Sequence, residues 1–93
     1  MEQQIKTTSE FLKIISDPQR LKILVFLQDS SRCVCKIFPS LGISQKLTSH
    51  HLSRLRAAGM VTQERRGNFM HYSINKKVIK KHLQLLNKSL QIK

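Results

Sequence analysis

Acidic residues are scarce in this chain of 93 residues. Lys and Arg number 17 against 5 Asp and Glu, which gives a formal net charge of +12. An excess of this size excludes an acidic tail protein and predicts a polyanionic partner. Because 40% of the residues are hydrophobic, the chain is also too apolar to be a disordered basic arm.

Long hydrophobic runs and cysteines are scarce as well. No apolar run reaches the roughly 18 residues that span a bilayer, and the polar start Met1-Glu2-Gln3-Gln4 predicts that no secretory signal precedes the domain. Only two cysteines occur, which excludes a disulfide framework and favours a cytoplasmic location. A chain this short buries only about 60% of its unfolded surface, so we expect residues 1–93 to form one domain.

The sequence also lacks the combinations of residues that catalysis needs. We find no nucleophile–base pair, no carboxylate pair and no glycine-rich phosphate loop, and we therefore predict that the protein is not an enzyme.

The excess positive charge lies in the last two thirds of the chain. Residues 1–30 carry four basic and four acidic groups, whereas residues 31–93 carry thirteen basic groups against Glu64 alone. A surface tuned only for solubility is the simple alternative, but it would rarely leave one acid among so many bases. We interpret this part of the chain as a nucleic-acid-binding surface.

Hydrophobic periodicity and turn residues predict five helices and a β-hairpin. The helices are expected over residues 5–15, 18–28, 33–41, 44–58 and 76–92, and the strands over 60–65 and 69–74. Pro39 should keep the third helix short or distorted. A joint containing Gly42 links the third and fourth helices, which is typical of a helix-turn-helix, and the hairpin that follows is typical of a wing. We therefore predict a mainly α, winged helix-turn-helix fold.

The helix predicted over residues 44–58 has two distinct faces. Thr48, Leu52 and Leu55 share one narrow face, which should belong to the core. The opposite face and its flanks carry a polar stripe that contains no acid: Gln45, Lys46, Ser49, His50, Ser53 and Arg56. Such a stripe can enter a major groove, where base edges and phosphates present acceptors. An ordinary solvent-facing side is the alternative.

The predicted hairpin tip carries Arg65, Arg66 and Asn68. Arginine at such a tip suits a narrow minor groove, where the potential is most negative, and a merely solvated turn is the alternative.

His51 borders the core face of its helix and is interpreted as a packed histidine. His71 and His82 stand alone in the sequence and are interpreted as structural. The spacing of cysteines and histidines does not match the usual zinc-finger pattern.

Cys33 and Cys35 are the most informative chemical feature. Two thiolates can bind a soft ion such as Cd(II), Cu(I) or As(III). On an ideal helix, residues i and i+2 point about 200° apart, so we expect ion binding to unwind or distort the start of this helix. Two alternatives stay open: the cysteines are inert buried residues, or they serve redox or persulfide chemistry. For the latter, a disulfide between protomers would form more easily than one within the chain.

Several segments together resemble the ArsR/SmtB family of winged-helix repressors. They are Ser16 to Leu24, Cys33-Val34-Cys35, Ser44 to Val61, and Gly67 to Tyr72, so the resemblance covers nearly the whole chain. Cys33-Val34-Cys35 matches the Cys-Val-Cys box of the family's arsenic- and cadmium-responsive members. Some arsenic sensors have a third cysteine three residues later, where this chain has Phe38. The family implies operator binding that an inducer, often a metal ion, relieves.

The resemblance also implies a homodimer with the first and last helices at its interface. The first helix would contribute Phe11 and Ile15. The last helix carries a stripe of Ile79, Leu83, Leu86 and Leu90, which could pack on its own domain, but further apolar positions widen it enough for a second copy to cover. A dimer would place two recognition helices about 34 Å apart and would read a twofold-symmetric operator in double-stranded DNA.

These observations predict a DNA-binding repressor that leaves its operator when arsenite, cadmium or Cu(I) binds Cys33 and Cys35. One alternative is a redox- or persulfide-sensing repressor that uses the same cysteines. The other is a small basic RNA-binding protein without an effector, which would bind RNA and DNA equally and with weak sequence preference.

Overall fold

The computed structural model describes residues 1–92, and within that range it contains five α-helices and one three-stranded antiparallel sheet. The helices are α1 (Glu2–Ile15), α2 (Pro18–Phe26), α3 (Val34–Leu41), α4 (Gln45–Ala57) and α5 (Lys76–Leu90). The strands are β1 (Arg32–Cys33), β2 (Val61–Arg66) and β3 (Phe69–Ile74). The predicted winged helix-turn-helix is confirmed. No helix among these residues is long and apolar enough to cross a membrane.

Side-chain caps begin the helices at the positions that the sequence predicts. The Asp17 carboxylate accepts hydrogen bonds from the backbone N–H groups of Gln19 at 2.8 Å and Arg20 at 3.2 Å, and Pro18 occupies the first turn of α2. The Ser44 hydroxyl accepts a hydrogen bond from the Leu47 N–H at 3.0 Å. These bonds satisfy N–H groups that have no partner inside their own helices.

The short third helix ends in a tight turn. Pro39 lies inside α3, which has only eight residues, in agreement with the expected short helix. Gly42 follows with φ of 68°, a left-handed conformation that glycine adopts without steric cost. Because the turn is this short, α4 begins directly beside α3, as a helix-turn-helix requires.

The sheet contains a strand that the sequence analysis did not predict. Its order is β1-β3-β2, so β3 lies in the middle and β2 at an edge. Arg32 pairs with Tyr72, and Cys33 pairs with His71. A two-residue strand is too short to produce an alternating pattern. Cys33 therefore ends β1 and caps α3, instead of lying inside the third helix as predicted.

The core forms where α1, α2, α3 and α4 meet the base of the hairpin. Its buried hydrophobic residues are Phe11, Ile23, Leu24, Leu27, Ile37, Leu52, Leu55, Met60 and Val61. Thr48, Leu52 and Leu55 are each 0% exposed, which confirms the predicted inner face of α4. Burying this face fixes the direction in which the opposite face of the same helix points.

Candidate nucleic-acid interface and thiol site

The structure exposes the whole polar stripe of α4. Its six members, Gln45, Lys46, Ser49, His50, Ser53 and Arg56, all lie at the surface, while the core holds the other side of the helix. No acid interrupts the stripe, and the Ser44 cap fixes the helix end beside it. This surface can donate hydrogen bonds to phosphates and base edges without repelling them.

His51 is 6% exposed, as expected for a packed histidine. Burial, helped by the charges of Arg20 and His50, lowers the pKa of His51, although the charge of Asp17 opposes the shift. Desolvation raises the pKa of Asp17, but its two backbone hydrogen bonds and the charges of His51 and Arg20 outweigh this and hold the pKa below its ordinary value. The α2 cap and the inner side of α4 thus influence each other electrostatically.

The wing presents its basic residues at the tip of the β2–β3 hairpin. Arg65, Arg66 and Asn68 are all exposed. The Arg66 Nε donates a hydrogen bond to Glu64 Oε1 at 2.7 Å, and this bond is the main reason that the pKa of Glu64 lies below its ordinary value. Arg65 takes no part in an ion pair within residues 1–92. Its charge is therefore available to an anion outside the protein.

The structure brings the two cysteines together at the start of α3. Cys33 has an extended backbone, with φ of −66° and ψ of 141°, so it lies outside the helix and its Sγ is paired with the Sγ of Cys35 as a disulfide. The premise that both cysteines lie on the helix is therefore wrong, and the expectation that ion binding distorts the start of this helix stays a prediction. The bond lies within the chain, although the sequence analysis expected a disulfide between protomers to form more easily.

The donor set at this site suits a thiophilic ion. The Cys33 sulfur accepts a hydrogen bond from the Cys35 N–H at 3.2 Å, and Cys35 is exposed while Cys33 is buried. Lys36 follows directly, and positive charge near a helix start favours the thiolate form of a reduced cysteine. Across residues 1–92 no group of three or more His, Cys, Asp or Glu side chains is assembled as a metal site. The reduced pair supplies two soft ligands.

A family model described as "Bacterial regulatory protein, arsR family" matches residues 17–63. The match begins at the cap of α2 and runs through α3 and α4 into β2. This chain belongs to the arsR family. The resemblance recognised from the sequence segments is confirmed.

Two relatives of this ArsR-family chain carry the names of bacterial repressors. It is 35% identical over 89 residues to the arsenical resistance operon repressor of Staphylococcus xylosus, covering 92% of this chain and 86% of that protein. It is 37% identical over 70 residues to the HTH-type transcriptional repressor SmtB of Mycobacterium tuberculosis, covering 75% of this chain but only 52% of that protein. The chain thus spans about half the length of this relative.

The fold of this ArsR-family chain matches solved structures over almost its full length. The crystal structure of NolR from Sinorhizobium fredii superposes with a TM-score of 0.79 at 30% identity, covering 94% of this chain and 87% of that one.

The residues predicted for a dimer interface differ in how far they are exposed. Ile15, Ile79 and Leu86 are half-buried, while Leu83 and Leu90 are 46% and 62% exposed. Phe11 differs: it is 2% exposed, and its ring stacks on His82 with 4.6 Å between the centroids. We therefore remove Phe11 from the predicted interface, because its own chain already covers it.

Sequence reasoning missed two exposed apolar residues of α1. Ile5 and Leu12 are 52% and 40% exposed. They lie seven positions apart, which places them on one side of a helix. This spacing was the available signal, but the sequence analysis assigned only Phe11 and Ile15 of this helix to the interface. Among residues 1–92, α1 and α5 together thus expose more apolar surface than the sequence analysis recognised.

Proposed function

We propose that this protein is a transcriptional repressor of the ArsR/SmtB type that binds double-stranded DNA as a homodimer. The observation that carries the proposal is the acid-free polar stripe on the outer face of α4, whose inner face is fixed in the core. Family membership and the repressor names of the relatives support the same function.

The arrangement of α4 and the wing supports a defined mode of DNA binding. In this mode α4 lies in the major groove, where Lys46, Ser49 and His50 reach base edges or phosphates. The wing follows α4 directly in the chain, and Arg65 and Arg66 reach the adjacent minor groove, whose negative potential attracts guanidinium groups. Gln45, Ser53, Arg56 and Asn68 flank these contacts.

Dimerisation through α1 and α5 would give the DNA-binding surface its symmetry. The exposed apolar residues of these helices, including Leu83 and Leu90, are the surface that a second copy would cover. Two α4 helices one helical turn of DNA apart would then read a twofold-symmetric operator. The second copy also doubles the charge of +12, which strengthens attraction to the DNA backbone.

We further propose that a thiophilic ion such as As(III), Cd(II) or Cu(I) acts as inducer at Cys33 and Cys35. The Cys33 sulfur caps α3, and α3 packs against α2, α4 and β3. An ion that binds the Cys33 sulfur would change the cap and therefore the start of α3. Because α3 packs against α4, the position of α4 would change as well. A coupling free energy of about 1–3 kcal/mol would weaken DNA binding roughly 5- to 150-fold.

A DNA-release assay tests this proposal. The reduced protein is bound to a duplex obtained by selection from random DNA and is then exposed separately to arsenite, Cd²⁺, Cu(I) and Zn²⁺. We expect a thiophilic ion to release the duplex from the unchanged protein. We also expect the double variant C33S/C35S to bind the duplex normally and to stay bound. Release of the variant by the same ion would refute the cysteine switch, and equal binding to RNA and DNA would favour the RNA-binding alternative.

The disulfide gives specific support to a second candidate, a repressor that senses oxidants through the same pair. In this version the oxidised and reduced proteins differ in DNA affinity without any metal. Measuring both forms in the presence of a strong chelator separates the candidates, because equal affinities would exclude redox sensing.

A further inference from the structure

Three chemically reactive side chains lie in one row across the sheet. Cys33 on β1 pairs with His71 on β3, and the same His71 pairs with Glu64 on β2. Directly opposite residues of antiparallel strands project from the same face, with Cβ atoms about 4.5–5.5 Å apart. The register therefore places His71 between the thiol site and a carboxylate.

The opposite face of the sheet supports this assignment. Tyr72 and Ile74, the neighbours that alternate with His71 and Ser73 along β3, pack against the core. Arg32, which pairs with Tyr72, lies over the Phe26 ring at 5.2 Å. Cys33 and His71 consequently share the other face of the sheet, on which Cys33 is 7% exposed. His71 is half-buried and forms no side-chain hydrogen bond with another residue in the described part of the chain.

A carboxylate that is ion-paired with Arg66 lies beside His71. Glu64 is the only acid among residues 31–93, and it lies directly opposite this histidine. A carboxylate next to an imidazole that binds a metal commonly orients the ring and increases its basicity.

We propose that in the reduced protein His71 is the third ligand of a metal ion held by Cys33 and Cys35. This inference rests on the proposed function for the use of the cysteine pair. In the structure the two sulfurs are bonded to each other, so both become donors only after a thiol reductant has cleaved this bond, leaving two thiols and being itself oxidised to a disulfide. Each thiol then releases its proton to solvent as it binds the ion, and the imidazole binds in its neutral form.

This ligand set determines which ions the site prefers. Two thiolates and one imidazole suit divalent ions such as Zn²⁺ and its larger, softer relative Cd²⁺. Arsenite gains nothing from the imidazole, because it binds through sulfur. We infer that a divalent thiophilic cation is the favoured inducer of this chain, even though relatives carry arsenical names.

The third ligand would also connect the switch to the wing. An ion shared by Cys33 and His71 ties the start of α3 to β3, the central strand of the sheet. Two residues before His71, Phe69 pairs with Arg66 at the hairpin tip. Metal binding would thus constrain both parts of the DNA-binding surface, α4 through α3 and the wing through β3.

A metal titration tests the inference without DNA. The full-length protein is reduced with dithiothreitol, freed of reductant under anaerobic conditions and titrated with Cd²⁺ against a competing chelator. We expect His71→Ala to weaken Cd²⁺ binding by about tenfold or more, while the sulfur-to-cadmium absorption at saturation and the affinity for arsenite stay unchanged. His50→Ala removes another imidazole, one exposed on α4, and should bind Cd²⁺ like the unchanged protein.

Wild-type Cd²⁺ affinity in the His71→Ala variant would overturn the inference. An equal loss of Cd²⁺ and arsenite binding would overturn it too, because it would mean that the substitution merely damages the cysteine pair. If the variant fails to fold, NMR of the unchanged protein decides: direct coupling between ¹¹³Cd and a ring nitrogen of ¹⁵N-labelled His71 is expected, and its absence from the saturated complex excludes the bond. Failure of the proposed function gives a different result. Release of C33S/C35S from DNA by the ion would refute the cysteine switch, but the Cd²⁺ affinities of the unchanged protein and of His71→Ala would still show whether His71 is a ligand.

Discussion

Arg65→Gln tests how the wing contributes to DNA binding. Outside the ion pair of Glu64 and Arg66, the polar stripe and wing tip expose three cations, Lys46, Arg56 and Arg65. A dimer would therefore present about six of them to phosphates, and each contact contributes about −0.9 to the slope of log affinity against log salt concentration. The unchanged protein should show a slope of about −5 or steeper. The substitution removes two charges from a dimer and should reduce the steepness by about 1.8.

Fluorescence anisotropy of a labelled duplex between 50 and 200 mM NaCl measures the slope. Lys22→Gln is the matched control, because Lys22 is exposed on α2 and belongs to neither the stripe nor the wing, so its loss should leave the slope unchanged. If the DNA affinity of the unchanged protein does not change with salt concentration, the electrostatic reasoning as a whole is contradicted. An Arg65→Gln slope equal to that of the control would show that the wing does not contact phosphate.

Three further predictions address specificity, packing and pH. Lys46→Ala should cost about 1–3 kcal/mol more on the selected duplex than on random DNA if it reads bases, and equal losses in parallel titrations would assign it to the backbone. Leu52→Ala should lower the free energy of unfolding in urea by about 2–5 kcal/mol, because Leu52 is 0% exposed; a loss below 1 kcal/mol would contradict its place in the core. Burial lowers the pKa of His51, so the folded state resists protonation of this histidine. The free energy of unfolding should therefore fall as the pH drops from the ordinary pKa of histidine towards the lower pKa of His51 in the folded state. Unfolding measured from pH 8 to 5 should show a smaller loss for His51→Gln, and identical profiles would refute this.

Local chemistry explains why most of the fold could be predicted. Asp17, Pro18 and Ser44 are helix-start signals that act within a few residues, and Gly42 marks the turn that follows α3. The buried face of α4 follows from its periodicity alone. Each of these signals is contained in a short stretch of sequence, so the elements that they define were predicted to within a few residues.

The features that sequence could not provide depend on contacts between distant segments. β1 exists because Arg32 and Cys33 meet β3 about forty residues later, and this pairing also moves Cys33 out of the predicted helix. The same register places His71 beside the thiol site, although a lone histidine in a strand carries no such information. Phe11 was assigned to a dimer because periodicity identifies an apolar face but not what covers it; here His82 of α5 does.

The position of β2 at the sheet edge influences how two copies can associate. An open edge strand offers unpaired backbone groups to any other strand, including the same strand of another molecule. On β2 this edge carries Gln63, Glu64, Arg65 and Arg66 in succession, so three of these four neighbouring side chains are charged, which is one way in which proteins protect an open edge. Charge thus discourages growth of the sheet from one molecule into the next and leaves self-association to the helical side of the protein.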